Sequence, residues 1–487
     1  MNSSPRPHCM RQNPPQPLPL ALPLVLCILS LAGCGAVGPS YTPPEPKSVP
    51  TQYLEPSGTA NLISTWQILL ADPALQQLQQ RALVDSPDLA LALARLSQAR
   101  AVQSVQEGTT GPTLNASTQA SADRLSKNGE MFSNVPPIQN LKTQFINTQA
   151  GFDASWEIDL FGYQRRLSEA AKARTEAAAV RAQDARVSLT AEVARNYLEL
   201  RLWQQRLQLA HAQLKEMDDQ LAITKLAVQY GETAKMDWLR LQNQRDNFAA
   251  TLPALAFSER QNLAALSPLT GSSMAELQSL LQPTGSLPVM PEAPAAGLPA
   301  ELLKHRPDVR AAERDWAAAS ADVGVATAAQ YPRFSLVGNA GWQSVHGNDL
   351  MTSASEFWSL GPRLSLPLFN SGRLANQVKA NEAALDAARA SYRKTLLSAV
   401  ADVDAALSRL SRYELRRTQL VQAEVHQQEI LRLTQAQFNA GAVARLDLIV
   451  ALRNLNNQQD QLAQAQGQSL TALVALYKAL GGGWADQ

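Results

Sequence analysis

Short segments of the chain alternate between apolar and polar residues with a period of two, which is the pattern of a β-strand with two unlike faces. In the clearest segment, from Phe152 to Phe161, the even positions are apolar, and Asp, Ser, Glu and Asp occupy the odd positions before Phe161. Similar segments start at Thr113, Phe334 and Trp358. Each is about ten residues long, the length that crosses a bilayer as a tilted strand. The pattern predicts four strands whose even positions meet lipid and whose odd positions line a water-filled lumen.

Two long stretches rich in Ala, Gln, Arg and Leu favour helices instead. The first, from Tyr163 to Gln229, contains neither Pro nor Gly, and about 67 helical residues would extend on the order of 100 Å. Apolar residues recur in it at every seventh position from Val193 to Val228, which indicates a left-handed coiled coil. After each long stretch, a shorter stripe of apolar residues repeats with the same seven-residue period. Each stretch and the stripe that follows it therefore predict one antiparallel helical hairpin. Pro253 should break the first returning helix, and the second has no matching Pro.

These elements occur twice along the chain. The tetrapeptide Ser-Pro-Asp-Leu at 86–89 recurs as Arg-Pro-Asp-Val at 306–309, an offset of about 220 residues that a duplicated architecture explains. Later landmarks recur at an offset of about 210 residues, because one loop of the second half is shorter. The predicted division is a signal peptide at 1–33, a lipid-anchored extended segment at 34–65, a first repeat at 66–282, a Pro/Gly-rich linker at 283–297 and a second repeat at 298–487.

Four strands cannot close into a barrel, and an open sheet edge is not tolerated in lipid. Barrels of the bacterial outer membrane begin at about eight strands, and side chains fill the lumen of an eight-stranded barrel. An open duct of about twelve strands therefore requires three chains. The alternative is a soluble sheet with one solvated face, which any single segment would satisfy.

The N-terminus carries an apolar run from Leu18 to Leu31 that is too short to span a bilayer and fits a secretory signal. It ends in Leu-Ala-Gly-Cys at 31–34, which resembles the lipobox of bacterial lipoproteins, so Cys34 is predicted to carry a covalent lipid. An ordinary signal that happens to contain a Cys is the alternative. Gly35 replaces the Asp that retains such lipoproteins in the inner membrane, which favours an outer-membrane anchor. Either Met1 or Met10 starts the chain.

Composition narrows the classes of function. All three cysteines (Cys9, Cys27 and Cys34) lie at or before the predicted cleavage point, so packing or assembly must stabilise the mature chain. The formal net charge is +1, which gives no indication of a nucleic-acid partner. No catalytic motif, phosphate loop or metal-ligand spacing occurs. The sequence therefore predicts no enzyme activity, no metal and no cofactor other than the lipid on Cys34.

Several longer motifs together resemble the outer-membrane factors of the TolC-type efflux family, and specifically their NodT-like lipoprotein branch. They are Cys-Gly-Ala-Val-Gly-Pro-Ser-Tyr at 34–41, Asp-Pro-Ala-Leu at 72–75, Ser-Pro-Asp-Leu at 86–89, Trp-Glu-Ile-Asp-Leu-Phe-Gly at 156–162, Leu-Pro-Ala-Glu-Leu-Leu-Lys-His-Arg-Pro-Asp-Val at 298–309 and the C-terminal 472–484. The family's Asp at position 40 is Ser here, a minor change in a segment expected to be flexible.

This resemblance implies a mixed α and β fold in which long helical hairpins form a periplasmic tunnel. Four strands per chain would contribute to a shared trimeric β-barrel of about twelve strands. The implied partners are a periplasmic adaptor and an inner-membrane pump, first of all one of the resistance-nodulation-division type. The implied function is passive exit of compounds through the outer membrane. A periplasmic adaptor and a structural coiled-coil lipoprotein without a pore stay open as alternatives.

The far ends of the two hairpins are the predicted working sites. A Gly in each can adopt the left-handed conformation that ends a helix, and the resemblance implies that these tips dock the adaptor. The predicted docking residues are Tyr230, Gly231, Glu232, Thr233, Gly441, Ala442 and Val443. The predicted gate residues are Asp237, Asp447, Lys235 and Arg445. The gate would be a neutral latch or an acidic ring, and the alternative is that both Asp residues only favour a helix dipole.

Overall fold

The computed structural model of the protein describes residues 35–43, 53–54, 70, 72–126, 143–282, 285–291 and 305–482. The predicted signal peptide, the predicted lipid site Cys34 and most of the predicted linker lie outside these residues. The chain divides into two compact units, one of which contains the strands and the other most of the helices. The predicted domain boundaries stay predictions.

The described residues form helices and strands in an order that occurs twice. The helices are α1 (Pro73–Asp85), α2 (Pro87–Gly108), α3 (Tyr163–Gln229), α4 (Lys235–Ala249), α5 (Leu252–Thr270), α6 (Met274–Leu281), α7 (Pro307–Ala328), α8 (Arg373–Asn439) and α9 (Arg445–Ala479). The strands are β1 (Thr113–Arg124), β2 (Gln144–Ile158), β3 (Arg333–Ser344) and β4 (Glu356–Ser365). Helix α2 with β1, β2 and α3 corresponds to α7 with β3, β4 and α8.

The two long helices, α3 and α8, contain 67 residues each. Helix α3 has the bounds that the absence of Pro and Gly predicts. In its seven-residue stripe, Val193 and Leu200 are fully buried, and the later positions from Leu207 to Val228 are half-buried. The stripe therefore belongs to the core in the middle of α3 and borders the returning helix nearer the tip. No described helix is both long and apolar enough to cross a membrane.

The returning helices differ between the repeats as Pro253 predicts. Helix α4 ends at Ala249 and α5 begins at Leu252, with Pro253 in the first turn of α5. A proline has no backbone N–H to donate, and its ring clashes with the carbonyl one turn earlier, so the helix restarts at this point. The second returning helix, α9, runs for 35 residues without a break. The predicted interruption is confirmed.

The four strands form one antiparallel sheet in the order β1-β2-β3-β4. Two predicted strand ends were wrong. Strand β2 runs from Gln144 to Ile158, so Leu160 and Phe161 lie beyond its end, and it also starts well before Phe152, where the predicted segment began. Strand β4 ends at Ser365, although the apolar alternation continues to Leu368.

The hydrophobic core lies in the helical unit and contains a polar network that the sequence pattern did not predict. Tyr197 on α3 is 1% exposed, and its hydroxyl donates to Asp72 Oδ2 at 2.6 Å. Arg201 Nε donates to the same hydroxyl at 3.1 Å, and Arg201 Nη1 donates to the carbonyl of Leu281 at 3.2 Å. Asp72 also accepts from the backbone N–H of Ala74 at the start of α1, at 2.9 Å. One network thus ties α1 and the end of α6 to α3 and satisfies polar groups that are costly to bury alone.

Candidate functional site: a two-faced sheet and two hairpin tips

The even-numbered positions of all four strands share one face of the sheet. The register places Phe152 of β2 opposite Ala116 and Ala340, and Ala340 opposite Trp358. This row lies near the middle of the sheet, and all four of its side chains are apolar. Phe152 is 50% exposed and Trp358 is 79% exposed. A contiguous apolar face of this kind requires a partner or a lipid environment.

The odd-numbered positions form the opposite, polar face. Asp153 lies opposite Asn115 and Asn339, and Asn339 lies opposite Ser359. The Ser117 hydroxyl donates to Asp153 Oδ2 at 3.2 Å. The register therefore aligns polar with polar and apolar with apolar in the middle of the sheet, as the period-two pattern predicts, with mixed pairs such as Ser155 opposite Val337 and Trp342 opposite Glu356. One face suits lipid and the other suits water.

The first hairpin tip joins α3 to α4 by a turn that ends the helix at Gly231. This residue has φ +80°, the left-handed conformation that Gly adopts without strain. Its N–H donates to the carbonyl of Val228 at 3.1 Å, and the N–H of Glu232 donates to the carbonyl of Ala227 at 2.9 Å. This is the Schellman pattern of a helix C-terminus. Tyr230, just before the Gly, is 79% exposed.

The second tip joins α8 to α9 with the same turn. Gly441 has φ +72°, its N–H donates to the carbonyl of Phe438 at 2.9 Å, and the N–H of Ala442 donates to the carbonyl of Gln437 at 2.9 Å. A Cβ at either Gly would meet no atom within 4 Å. Backbone conformation, and not lack of space, therefore requires Gly at both tips. The predicted docking residues lie on these turns, and all are exposed or half-buried.

The gate candidates Asp237 and Asp447 occupy equivalent places but have different partners. Asp447 Oδ2 accepts from the backbone N–H of Ala444 at 3.0 Å. Asp237 Oδ1 accepts from Arg240 Nη1 at 3.4 Å. Its ion pair is therefore formed with Arg240 and not with Lys235, the gate candidate two residues before it. The corresponding pair cannot form in the second hairpin, because the residue equivalent to Arg240 is Val450.

Arg445, the remaining gate candidate, lines a groove of about 420 Å³ on the second hairpin. Leu448 and Ile449 of α9 and Leu431 of α8 supply apolar walls to this groove. Among the described residues, no group of three or more His, Cys, Asp or Glu side chains is arranged to hold a metal ion.

The sequence interpretation missed the contacts of the segment that follows the predicted lipid site. Tyr41 was placed in a flexible segment, which is wrong. Its hydroxyl donates to Glu313 Oε1 at 2.7 Å, its ring lies edge-on to Trp316 at 5.6 Å, and Arg314 lies 5.4 Å above it. Burial, and then the hydrogen bond to Glu313, raises the pKa of Tyr41. The only signal in the sequence was a Tyr at the end of Gly-Pro-Ser-Tyr at 38–41, and its partners are far away along the chain.

Arg306 is a second group whose role was not predicted, although its motif marked the repeat. Its Nη1 donates to the carbonyls of Ala399 at 3.1 Å and Ala479 at 3.0 Å. The guanidinium also pairs with Asp308 at 2.9 Å and with Asp402 at 2.7 Å. One side chain thus joins the start of α7 to the middle of α8 and the end of α9. The position equivalent to Arg306 in the first repeat is Ser86, so the first repeat lacks this cation.

A sheet with one lipid-suited face and one water-suited face, carried on a chain with two long helical hairpins, defines an outer-membrane channel subunit. The model of the family described as "outer membrane efflux protein" matches this chain over residues 78–272 and 298–482. The chain belongs to this family.

Individual relatives can be aligned with this chain over nearly its whole length. Nodulation protein T of Rhizobium leguminosarum bv. trifolii is 29% identical, over 94% of this chain and 96% of its own. The solvent efflux pump outer membrane protein SrpC of Pseudomonas putida is 30% identical, over 95% and 98%. The solved outer-membrane channel OprN has a TM-score of 0.82 and 31% identity, covering 92% of this chain and 99% of that chain.

The protein is therefore the outer-membrane channel subunit of a tripartite efflux pump. It lies in the outer membrane, extends into the periplasm, and works as a trimer with a periplasmic adaptor and an inner-membrane pump. The predicted fold class and function are confirmed. Of the alternatives, the adaptor and the poreless spacer are set aside, because the family is one of efflux channels.

Proposed function

We propose that the two hairpin tips of this channel form its periplasmic mouth, where they dock the adaptor and hold the resting pore closed through a neutral latch. The observation that carries this proposal is the same exposed Schellman turn at Gly231 and Gly441. Two equivalent turns per chain would give a ring of six tips in a trimer, counting two for each of three chains. Passage through the mouth is passive, and the chain acts without catalysis or a cofactor.

Exposed apolar side chains at both tips support docking. Tyr230 is 79% exposed and Met236 59% on the first hairpin, and Leu446, the equivalent of Met236, is 68% exposed on the second. Such residues on a helical hairpin suit a partner that packs its own helices against them. The small residues Gly441 and Ala442 allow a close approach at the second tip.

The partners of Asp237 and Asp447 support a latch over an acidic ring. Arg240 balances the carboxylate of Asp237, and Asp447 is engaged by the backbone at the start of α9. A ring of such groups presents less free negative charge than unpaired carboxylates would. The pair of Asp237 with Arg240 lies within α4 between two exposed groups, and such pairs contribute only about 0–1 kcal/mol.

The test is single-channel conductance of the purified trimer in a planar bilayer. A latch predicts that Asp237→Ala combined with Asp447→Ala gives a more open resting pore. Asp246→Ala is the matched control, because Asp246 is an exposed residue of α4 that pairs with Arg245 at 3.2 Å and lies away from the turn. Conductance unchanged from wild type in the double variant would leave only the helix-start role for both carboxylates.

We also propose that Cys34, which lies outside the described residues, anchors the chain through lipid. The support is the Leu-Ala-Gly-Cys run at 31–34, because several acyl chains on one residue give a firm anchor. The intact mass of the purified mature chain should exceed the protein mass by a diacylglyceryl and an acyl group. Cleavage at another residue, or an unmodified N-terminus, would contradict the anchor and leave the channel function unaffected.

The cargo is set by the pump and not by this chain, because a passive duct selects little. The relatives are named for different cargoes: SrpC for solvents and OpmQ of Pseudomonas aeruginosa for pyoverdine export. A pump of the resistance-nodulation-division type stays a prediction. Deleting the gene and screening drugs, dyes, metals and aromatic acids for increased sensitivity identifies the cargo.

A further inference from the structure

The segment that follows the predicted lipid site also makes contacts at the turn between β2 and α3. We call residues 36–38 the strap. The backbone N–H of Val37 donates to the carbonyl of Phe161 at 3.1 Å. Phe161 lies between the end of β2 and the start of α3, and its ring stacks on that of Tyr331 with 4.9 Å between the centroids. The strap thus adds a backbone hydrogen bond to the turn that joins the sheet to a long helix.

A buried arginine in the first turn of α3 holds the strap. Arg166 is 6% exposed, its Nε donates to the carbonyl of Val37 at 3.3 Å, and its Nη2 donates to the carbonyl of Gly38 at 3.4 Å. An added Cβ at Gly324 of α7 would lie 2.9 Å from the same side chain. A guanidinium that is removed from water needs acceptors, and donors without acceptors cost free energy. Two of these acceptors are carbonyls of the strap, so the strap completes a buried polar site.

Glycines allow the strap to approach this closely. An added Cβ at Gly162 would lie 2.4 Å from the Cβ of Ala36, and one at Gly38 would lie 2.6 Å from the Cα of Gly324. Gly324 lies inside α7, where Gly is less favourable than Ala, and the equivalent residue of α2 is Ser104. The close approach of the strap therefore explains a residue that helix propensity alone disfavours.

The second repeat has the same turn without a strap. Gly372, the equivalent of Gly162, has φ +78° where Gly162 has φ +83°. Among the described residues, an added Cβ at Gly372 would meet only the side chain of Asn376, at 3.6 Å, which is an ordinary contact. Asn376 stands at the position equivalent to Arg166. Gly162, Arg166 and Gly324 thus form a cradle for the strap that the second repeat lacks.

We propose that this cradle is a docking site for the strap and that it fixes the point at which the lipid-bearing N-terminus leaves the fold. Ala36 is two residues from Cys34, so the lipidated residue lies within about 7 Å of the strap. The cradle lies just beyond Ile158, the last residue of β2 on the apolar face. The acyl chains therefore enter the membrane beside the sheet. This role rests on the proposed lipid at Cys34, whereas the docking of the strap rests on its own contacts.

The matched variants Gly162→Ala and Gly372→Ala test the docking. Both place a side chain at a similar positive φ and carry similar backbone strain, but only Gly162→Ala places a Cβ against Ala36. Hydrogen exchange of the full-length trimer, measured by mass spectrometry, follows the amide of Val37 in a peptide spanning residues 35–41. In Gly162→Ala this exchange should be about tenfold faster than in wild type or more, because the amide loses its acceptor. In Gly372→Ala it should keep the wild-type rate.

Arg166→Met is a second variant, which removes the donors to the strap and keeps a long side chain. It should also accelerate exchange at residues 35–41, whereas Asn376→Met, at the equivalent position, should not. Equal exchange in the two Gly variants, or exchange in wild type as fast as in an unfolded peptide, would overturn the docking. The intact mass of each variant reports the lipid separately. Slow exchange in a wild-type chain whose Cys34 carries no lipid would overturn the anchoring role and leave the channel function standing.

Discussion

The carboxylate of Asp447 accepts a hydrogen bond from the backbone N–H of Ala444, 3.0 Å away, where α9 begins. Ala444 has no side-chain oxygen to cap the helix, so the acid three residues later takes over part of the capping role. The equivalent Asp237 pairs with Arg240 at 3.4 Å instead. The two tips therefore share a backbone turn but differ in the partner of the acid. Asp447 caps its helix through the backbone, whereas Asp237 forms an ion pair with a side chain.

From this difference we expect Asp447→Ala to destabilise the first turn of α9 by about 1 kcal/mol, because it removes a charge-assisted bond to the backbone. Asp237→Ala should cost α4 less, since exposed ion pairs contribute about 0–1 kcal/mol. Hydrogen exchange of the backbone amides in the two first turns measures both effects. Equal loss of protection at α4 and α9 would show that the two acids have the same role.

Substitution of the two tip glycines should have a larger effect on function. A side chain at Gly231 or Gly441 must adopt φ near +80° or +72°, which costs a non-Gly residue roughly 1–2 kcal/mol. Gly231→Val and Gly441→Val should therefore alter the turns and abolish efflux in cells, while the trimer still assembles and inserts. Gly108→Ala is a suitable control, because Gly108 has open space around its Cβ position and no positive φ. Normal efflux by both Val variants would contradict the proposal that the tips dock the adaptor.

The sequence predicted those elements whose causes are local. Helix α3 was predicted to the residue because Pro and Gly are missing between Tyr163 and Gln229 and a Gly follows. The two faces of the sheet follow from period two alone. The contacts of Tyr41 with Glu313 could not be predicted, because the partners are 272 residues apart. The end of β4 was misplaced because the apolar alternation continues to Leu368, whereas the pairing with β3 ends at Ser365.

The faces of the sheet should differ in their tolerance of charge. The register places Trp156 near the end of β2 and Leu366 just beyond β4. Phe152, near the middle of the sheet, is the better site. Phe152→Arg should cost about 2–4 kcal/mol, and Trp156→Arg less. Glu157→Ser on the polar face should cost little. Urea unfolding of the bilayer-inserted protein measures these changes, and equal tolerance on both faces would contradict the assignment of lipid and lumen.

The stability of the trimer should depend on proline in α9 much more than at the break between α4 and α5. Ala463 in α9 is the repeat equivalent of Pro253, and it is 1% exposed within an unbroken helix. Ala463→Pro removes a backbone hydrogen bond and should cost about 3 kcal/mol or more. Pro253→Ala should have a small effect, because the chain already breaks between Ala249 and Leu252. Thermal unfolding of the trimer compares the two, and a mild effect of Ala463→Pro would mean that α9 tolerates the same break.

A half-buried carboxylate on α3, that of Asp184, gives a prediction about pH. Burial, and then the nearby charge of Asp308, raises the pKa of Asp184 above its ordinary value, although Arg306 and Lys478 oppose the shift. A carboxylate with a raised native pKa is stabilising in its protonated form and loses that contribution as pH rises through the native pKa. Asp184→Asn keeps the neutral form at every pH. We therefore expect the variant to be more stable than wild type at pH 7, and the difference to vanish as pH falls below about 4.

Glu192 on the same helix is the control with the opposite sign. Burial raises its pKa, but the hydrogen bonds from Arg195 at 3.0 Å and Lys478 at 3.2 Å outweigh burial and lower it overall. The ionised form therefore stabilises the native state above the ordinary pKa of Glu, and the contribution is lost as pH falls through the native value. Glu192→Gln should reduce the melting temperature at pH 7 and have little effect in acid. Melting curves of both variants between pH 3 and pH 8 decide the matter: if Asp184→Asn lowers stability at pH 7, then Arg306 and Lys478 outweigh burial at this site.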